Sequence, residues 1–229
     1  METVGIIGGL GPSTTAQFYL ELIALSQGSS VRPPVLIWSV PASYEDEHNA
    51  IQNGAIEIYL PRLIQAAKIL ERGGSQFLVM PCNSLHLFID QIKKAVTVPV
   101  ISILDVTAEY LSKHSIARVG LLSTSITQEH GLYERCLKSK NITYIHPSKE
   151  NQSILNKIIH NVVTGCDTDE DKKFLANIID GFRKKGIEHV VLACTDLQLL
   201  KPAHPQLEIH DTMKILAEAT FEKILRGFG

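Results

Sequence analysis

Short apolar runs alternate along the chain with longer segments that have the period of an amphipathic helix. The apolar runs occupy residues 4–7, 35–40, 77–80, 100–103, 119–122, 144–146 and 190–193. The helical segments occupy residues 14–25, 55–71, 83–95, 106–113, 129–138, 153–163, 169–185 and 213–225. Continuous apolar runs separated by helices are typical of parallel strands that are buried on both faces. The pattern therefore predicts an α/β fold built on central parallel sheets.

The second half of this pattern repeats the first. A Val-Gly pair opens one run at Val4 and another at Val119, and each is followed at a similar distance by an apolar run that ends in a cysteine, Cys82 or Cys194. Such self-similarity indicates an internal duplication. Coincidence is the competing interpretation, because the buried strands of α/β proteins all resemble one another.

A duplication in a chain of 229 residues predicts two small domains, each with its own core. We expect two similar Rossmann-like domains, with the final helix packed back on the first. The first domain would comprise residues 1–98 and 209–229 and carry Cys82. The second would comprise residues 99–208 and carry Cys194.

Composition excludes several classes of partner. Hydrophobic residues make up 45% of the chain and charged residues 20%, with a net charge of −2, as in ordinary globular proteins. This balance predicts neither a nucleic-acid partner nor an anionic membrane surface. The sequence has no secretory signal pattern and no run of the ~20 apolar residues that span a bilayer. We therefore expect a cytoplasmic protein whose four cysteines are thiols.

Both matched cysteines follow a predicted strand directly, at the edge of the sheet where α/β proteins bind ligands. A thiol at such a junction is stabilised as thiolate by the following helix, which makes it useful as a base. Two such thiols on one site suggest proton transfer at opposite faces of a carbon, one as base and one as acid. The ordinary alternative is that Cys82 and Cys194 are small buried residues of the core. Cys136 and Cys166 fall in or beside helices and are interpreted as packing residues.

Small and polar residues in the same loops are candidates for substrate binding. They are Gly9, Leu10, His48, Asn83, Ser84, Thr124, Thr127 and Thr195. Helix capping is the simpler role for the hydroxyl and amide groups among them. Two further roles stay open, because His86 either faces the Cys82 thiol or covers the helix, and Asp196 either orients Cys194 or is a solvated cap.

The loops predict no cofactor and no metal. The glycine loop at residues 8–14 lacks the third small residue of a dinucleotide fingerprint and the lysine of a P-loop. Cys82 and His86 are spaced to share one helix face, but Cys194 has no such partner, so the sequence does not favour a metal site.

Five motifs together resemble the aspartate/glutamate racemase family. They are Ile-Gly-Gly-Leu-Gly-Pro at 7–12, Met-Pro-Cys-Asn-Ser-Leu-His at 80–86, Gly-Leu-Leu-Ser-Thr at 120–124, Ala-Cys-Thr-Asp-Leu at 193–197 and Ile-His-Asp-Thr at 209–212. The resemblance implies an amino-acid racemase that uses no pyridoxal phosphate and no other cofactor, with Cys82 and Cys194 as its two acid/base residues. It also implies two pseudo-twofold related domains with the active site in the cleft between them, and a homodimer.

The sequence departs from this family where an acidic substrate would be bound. Aspartate racemases usually carry an arginine in the loop after the second strand, whereas residues 43–49 contain three acids and no arginine. The lysine expected before the long helix of the second domain is absent at residues 163–165. A neutral or basic amino acid is therefore an alternative to aspartate. Maleate isomerases and hydantoin racemases share the scaffold, so either activity competes with amino-acid racemisation, as does a non-catalytic two-domain ligand-binding protein.

Overall fold

Two compact units make up the chain, each built around a four-stranded parallel sheet. The structure is a computed structural model that describes residues 1–28, 32–43, 45–46, 49–50 and 54–226. The first unit comprises Met1–Val106 and Met213–Gly229, and the second comprises Thr107–Thr212. The predicted fold class, two α/β units with parallel sheets and flanking helices, is confirmed.

The sheet of the first unit has the strand order β2-β1-β3-β4. Its elements in chain order are β1 (Val4–Gly8), α1 (Pro12–Leu25), β2 (Val35–Ser39), α2 (Tyr59–Arg72), β3 (Phe77–Val79), a 3-10 helix (Ser84–Phe88), α3 (Ile89–Ala95) and β4 (Val100–Ile101), followed by α4 (Ile103–Lys113), which continues into the second unit. Every residue of β1 and β3 is buried, as expected for central strands covered by helices on both faces.

The sheet of the second unit has the corresponding order β6-β5-β7-β8. Its elements are β5 (Arg118–Ser123), α5 (Ser125–Glu129), α6 (Glu134–Ser139), β6 (Thr143–Ile145), α7 (Lys149–Val163), α8 (Asp169–Arg183), β7 (His189–Ala193), a 3-10 helix (Thr195–Leu200) and β8 (Glu208–Asp211), after which α9 (Thr212–Arg226) returns to the first unit. Helices α7 and α8 supply buried aliphatic side chains to its core.

The two sheets share their register as well as their strand order. Gly5 of β1 pairs with Leu78 of β3, and Gly120 of β5 pairs with Val190 of β7. Cys82 and Cys194 are each the fourth residue after these partners. The internal repeat expected from the sequence is therefore present in the backbone, and it assigns the two cysteines to equivalent positions.

The unit boundaries differ from the predicted ones. Residues 100–101 pair with β3 and so belong to the first sheet, although the sequence pattern predicts a boundary at residue 98. Residues 208–211 form an edge strand beside β7. The sequence pattern predicts no strand there, and only the helix that follows. β4 lies in the predicted apolar run at 100–103, but the pattern does not specify which sheet a run joins. β8 contains a single apolar residue, Ile209, and so lacks the continuous apolar run that identifies the central strands.

Two predicted helices are interrupted. The segment at 83–95 begins as a 3-10 helix and becomes α-helical at Ile89. The segment at 129–138 is divided between α5 and α6, because Gly131 adopts a positive φ of 55° between them. Among the helices in the described ranges, none has the length and apolar character to cross a bilayer.

Candidate active site

Cys82 lies in a tight connection between β3 and the 3-10 helix of the first unit. Its backbone N–H donates to the carbonyl oxygen of Met80 at 2.8 Å, which turns the chain directly after the strand. The Cys82 side chain is partly exposed, whereas the adjacent Asn83 is buried. Ser84 begins the 3-10 helix. The structure thus places these three predicted site residues together at the carboxyl end of β3.

The two ring nitrogens of His86 contact two backbone groups, one in this connection and one at the start of α4. Its Nδ1 lies 2.6 Å from the carbonyl oxygen of Cys82, and its Nε2 lies 3.1 Å from the backbone nitrogen of Ile103. Because an amide N–H can only donate, Nε2 is the acceptor, and Nδ1 carries the hydrogen that it donates to Cys82. Burial lowers the pKa of His86 to about 4, so the ring is neutral near pH 7. His86 therefore ties the Cys82 loop to the start of α4.

Cys194 occupies the equivalent position after β7 and is buried. Its Sγ lies 3.7 Å from Oδ2 of Asp196, within the range of a thiol hydrogen bond to a carboxylate. Thr195, between them, is also buried. The residue equivalent to Asp196 after Cys82 is the uncharged Ser84. The two cysteines therefore share a register position in their sheets but have different charges beside them.

Gln198 occupies the position equivalent to His86, the fourth residue after its cysteine. With its amide oriented so that the nitrogen and not the oxygen faces Asp211, its side chain donates to both carboxylate oxygens of Asp211, at 3.2 Å to Oδ1. Asp211 directly precedes α9, as Ser102 directly precedes α4. Each unit thus ties its cysteine loop to the start of the helix that follows its last strand, through His86 in one and Gln198 in the other.

Thr124 and Thr127 lie at the carboxyl end of β5, in the loop equivalent to the glycine loop after β1. Thr124 is the N-cap of α5, and its Oγ1 accepts from the backbone N–H of Thr127 at 3.2 Å. Its hydroxyl also donates to Oγ1 of Thr127 at 3.1 Å. Capping is thus an observed role for Thr124, and substrate binding by Thr124 and Thr127 stays a prediction.

Two amide side chains that no sequence motif singles out lie beside this loop. Gln152 is buried, and its Nε2 donates to the carbonyl oxygen of Ser123 and to Oδ1 of Asn156, both at 2.9 Å. Asn156 in turn donates to Oγ of Ser125 at 2.7 Å. Within the described part of the chain, Ser123 Oγ and Gln152 Oε1 are buried without a hydrogen bond. Their sequence signal is two amides spaced i, i+4 on a helix.

The glycine loop after β1 is closed on itself. Gly9 has a positive φ of 81°, and its N–H donates to Oγ1 of Thr15 at 2.9 Å. A β-carbon at Gly9 would lie 2.8 Å from the backbone nitrogen of Val40, so only glycine fits. Leu10 beside it is partly exposed. The Gly9 N–H is thus engaged within the loop, and substrate binding at Gly9 and Leu10 stays a prediction.

An acidic side chain of the loop after β2 forms an ion pair with an arginine of a helix. Arg62 of α2 donates from Nη1 to Oδ2 of Asp46 at 2.7 Å, and this hydrogen bond holds the pKa of Asp46 below its usual value. The sequence has no lysine or arginine from Pro33 to Pro61. Arg62 is thus already paired with an acid of the chain itself. The predicted site residue His48 lies outside the described residues.

Comparisons with known proteins cover nearly the whole chain. The family model described as Asp/Glu/Hydantoin racemase matches residues 7–220. The broad specificity amino-acid racemase RacX of Bacillus subtilis (strain 168) is 25% identical over 233 residues, which cover 97% of this chain and 98% of RacX.

Solved structures give the same picture. An aspartate racemase homologue from Pyrococcus horikoshii OT3 is 29% identical, with a TM-score of 0.79 over 98% of this chain and 99% of its own. The aspartate racemase of Picrophilus torridus is 25% identical, with a TM-score of 0.82 over 98% of this chain and 94% of its own. The fold is therefore shared with these proteins over nearly the whole chain.

Proposed function

Because the chain belongs to the Asp/Glu/Hydantoin racemase family, we propose that it is a cofactor-independent amino-acid racemase that transfers protons through Cys82 and Cys194. The observation that carries this proposal is the equivalence of the two cysteines in strand order and register. A duplicated scaffold with one thiol at the same edge of each sheet supplies two similar groups. Either of them can be the thiol while the other is the thiolate. Two-base racemisation requires such a pair.

In the proposed reaction one cysteine acts as thiolate and removes the α-proton of the amino acid. The other acts as thiol and delivers a proton to the opposite face of the same carbon, so that the stereocentre inverts. The first cysteine ends the turnover as a thiol and the second as a thiolate. Their roles therefore exchange when the other enantiomer is the substrate, and no oxidant or further reactant is consumed.

The charges beside the cysteines support different resting states. The Asp196 carboxylate beside Cys194 favours a thiol, which can donate to it, and disfavours a second negative charge nearby. Ser84, which stands at the corresponding place after Cys82, has no such charge. We therefore assign Cys82 as the resting base and Cys194 as the resting acid, with Asp196 as the residue that positions the Cys194 proton.

The surroundings support a substrate with a neutral or basic side chain over aspartate. The polar groups beside the β5 loop are the neutral amides of Gln152 and Asn156. The arginine after β2 is paired with Asp46. A buried substrate carboxylate without a positive partner would lose on the order of 2–5 kcal/mol of binding free energy. The name of RacX specifies broad specificity and no single amino acid.

The activity is tested by exchange of the α-proton with solvent. Each L-amino acid is incubated with the protein in deuterated water without any cofactor, and the α-proton signal and optical rotation are followed. We expect deuterium at the α-carbon together with the D-enantiomer, faster for neutral or basic amino acids than for aspartate. If none of these amino acids exchanges, the proposed function is wrong, and hydantoins and maleate become the substrates to test.

The two-base assignment is tested with Cys82→Ala and Cys194→Ala, and with Cys166→Ser as a control because Cys166 is exposed. Each alanine variant should lose at least about a thousandfold in racemisation, and the control should lose nothing.

β-Chloroalanine separates the two bases, since removal of its α-proton expels chloride and leads to pyruvate without a second thiol. The two alanine variants should then release pyruvate from opposite enantiomers. The same enantiomer preference in both would contradict the assignment.

A further inference from the structure

A second group of chemically active side chains lies at the opposite end of β7 from Cys194. His189 is the first residue of β7 and pairs in register with Glu208, the first residue of β8. Paired residues of neighbouring strands project from the same face of a sheet, and so do residues two apart along one strand. His189, Glu208 and His210 therefore share one face. Cys194 lies five residues further along the chain, roughly 16 Å away for an extended strand.

The three side chains converge to the spacing of metal ligands. His189 Nδ1 lies 3.1 Å from His210 Nε2 and 3.5 Å from Glu208 Oε2. One ligand atom from each residue lies within 4.8 Å of the other two. Ligands about 2.0–2.2 Å from a tetrahedral ion are roughly 3.3 Å apart, so the two short distances match such an ion.

Hydrogen bonds alone do not satisfy all three side chains of this cluster. A single hydrogen on His189 Nδ1 can be donated well to only one of the two acceptors, His210 Nε2 or Glu208 Oε2. An ion placed between the three atoms accepts a lone pair from each of them. The His210 ring is also held in place, because it is buried and the ring of Tyr110 packs edge-on against it with centroids 5.6 Å apart. A ligand fixed by its neighbours loses little entropy on binding an ion.

We propose that His189, Glu208 and His210 form a binding site for one divalent transition-metal ion, with zinc as the best fit. Two imidazoles and one carboxylate are a ligand set that zinc accepts, with a fourth position left for water. Glu208 is mostly exposed and His189 partly so, which gives the ion a path from solvent. Because the site lies at the amino end of β7, its role is to fasten β7 to β8 and not to take part in proton transfer by Cys194.

The proposal is tested by titrating chelator-treated protein with Zn²⁺ and measuring binding by calorimetry. The ligand variants are His189→Gln and Glu208→Gln, which preserve approximate size and remove one ligand each. We expect one strong equivalent of Zn²⁺ for the natural sequence and at least a tenfold higher Kd for both variants. Equal affinity in either variant would overturn the proposal, provided that circular dichroism shows the variant folded.

Two controls distinguish this cluster from other ligands. The Cys82→Ala/Cys194→Ala double variant and His130→Gln, which changes an exposed histidine, should bind Zn²⁺ as the natural sequence does. Loss of binding in the double variant would assign the ion to the thiols instead. Co²⁺ gives an independent readout, because nitrogen and oxygen ligation produces visible bands without the strong near-ultraviolet absorption of thiolate–cobalt charge transfer. That absorption would overturn the proposal as well.

Discussion

His86 and Gln198 are single side chains that hold equivalent loops by different chemistry. His86 donates to the carbonyl of Cys82 and accepts from the N–H of Ile103, whereas Gln198 donates to the carboxylate of Asp211. Both anchor the turn that presents a cysteine. Of these two side chains only the imidazole can take up a proton, so His86 adds a sensitivity to acid that Gln198 does not.

This sensitivity predicts how stability changes with pH. The pKa of His86 falls from 6.5 to about 4 on folding, so between these values the unfolded chain binds a proton that the folded chain does not. Its contribution is fully present above pH 6.5 and is lost as the pH falls toward 4, by roughly 3 kcal/mol at about 1.4 kcal/mol per pKa unit. His86→Gln, which copies the second repeat, should flatten this dependence.

The measurement is urea unfolding of both proteins at several values between about pH 4.5 and 7.5, the range over which this ring changes its charge. His130→Gln serves as the control, because its exposed ring should leave the pH dependence unchanged. An unaltered slope in His86→Gln would show that this ring does not contribute to the pH dependence.

Among the elements, the glycine loop between β1 and α1 has a tight packing requirement. Gly9 combines a positive φ of 81° with an approach to the Val40 backbone that leaves no room for a β-carbon. Gly74, between α2 and β3, has a φ of 96° but open space around the same position. The two glycines thus separate the cost of the backbone conformation from the cost of the collision.

We expect Gly74→Ala to lower the free energy of unfolding by about 1–2 kcal/mol, the cost of a left-handed conformation for alanine. Gly9→Ala should lower it by at least about 3 kcal/mol, because the backbone of Val40 must also move. Chemical denaturation measures both. Similar losses in the two variants would mean that the loop yields easily and that its position is not fixed by Gly9.

The elements also show what the sequence can and cannot predict. β1, β3, β5 and β7 are predictable because a strand buried on both faces must be apolar throughout. β8 is not, since an edge strand with Glu208 and His210 has no continuous apolar run. The site shows the same division. The cysteines follow predictable strands, but the contact of Gln152 with Ser123 and the Arg62–Asp46 pair join residues distant in sequence, so local spacing does not predict them.

In the molecule as a whole, α9 is the helix that completes the first unit. Met213, Leu216, Ala217 and Ile224 are fully buried. The carbonyl of Ile224 accepts from the N–H of Glu2 at 3.2 Å, and Lys223 lies 3.1 Å from the Glu2 carboxylate. The last helix is thus fastened beside the first strand, far from it in sequence.

Leu216→Ala should therefore lower the free energy of unfolding by about 2–5 kcal/mol, because it leaves a cavity in a buried helix face. Leu225→Ala, in the same helix but exposed, should change it by less than about 0.5 kcal/mol. Hydrogen exchange shows which part of the chain is destabilised, and we expect the protection of backbone amides to fall first in β1 and β3. Uniform loss of protection in both units would instead mean that they unfold as one.

The return of α9 to the first unit reverses the order in which the two cores are finished during synthesis. The second unit is one continuous stretch, Thr107–Thr212, and every residue of it leaves the ribosome before the buried residues of α9 do. The first unit emerges earlier but lacks Leu216 and Ile224 until the whole second unit has been synthesised. The core of the first unit is thus completed after that of the second. During synthesis the Cys82 loop belongs to an incomplete core, whereas the Cys194 loop belongs to a unit whose residues have all been made.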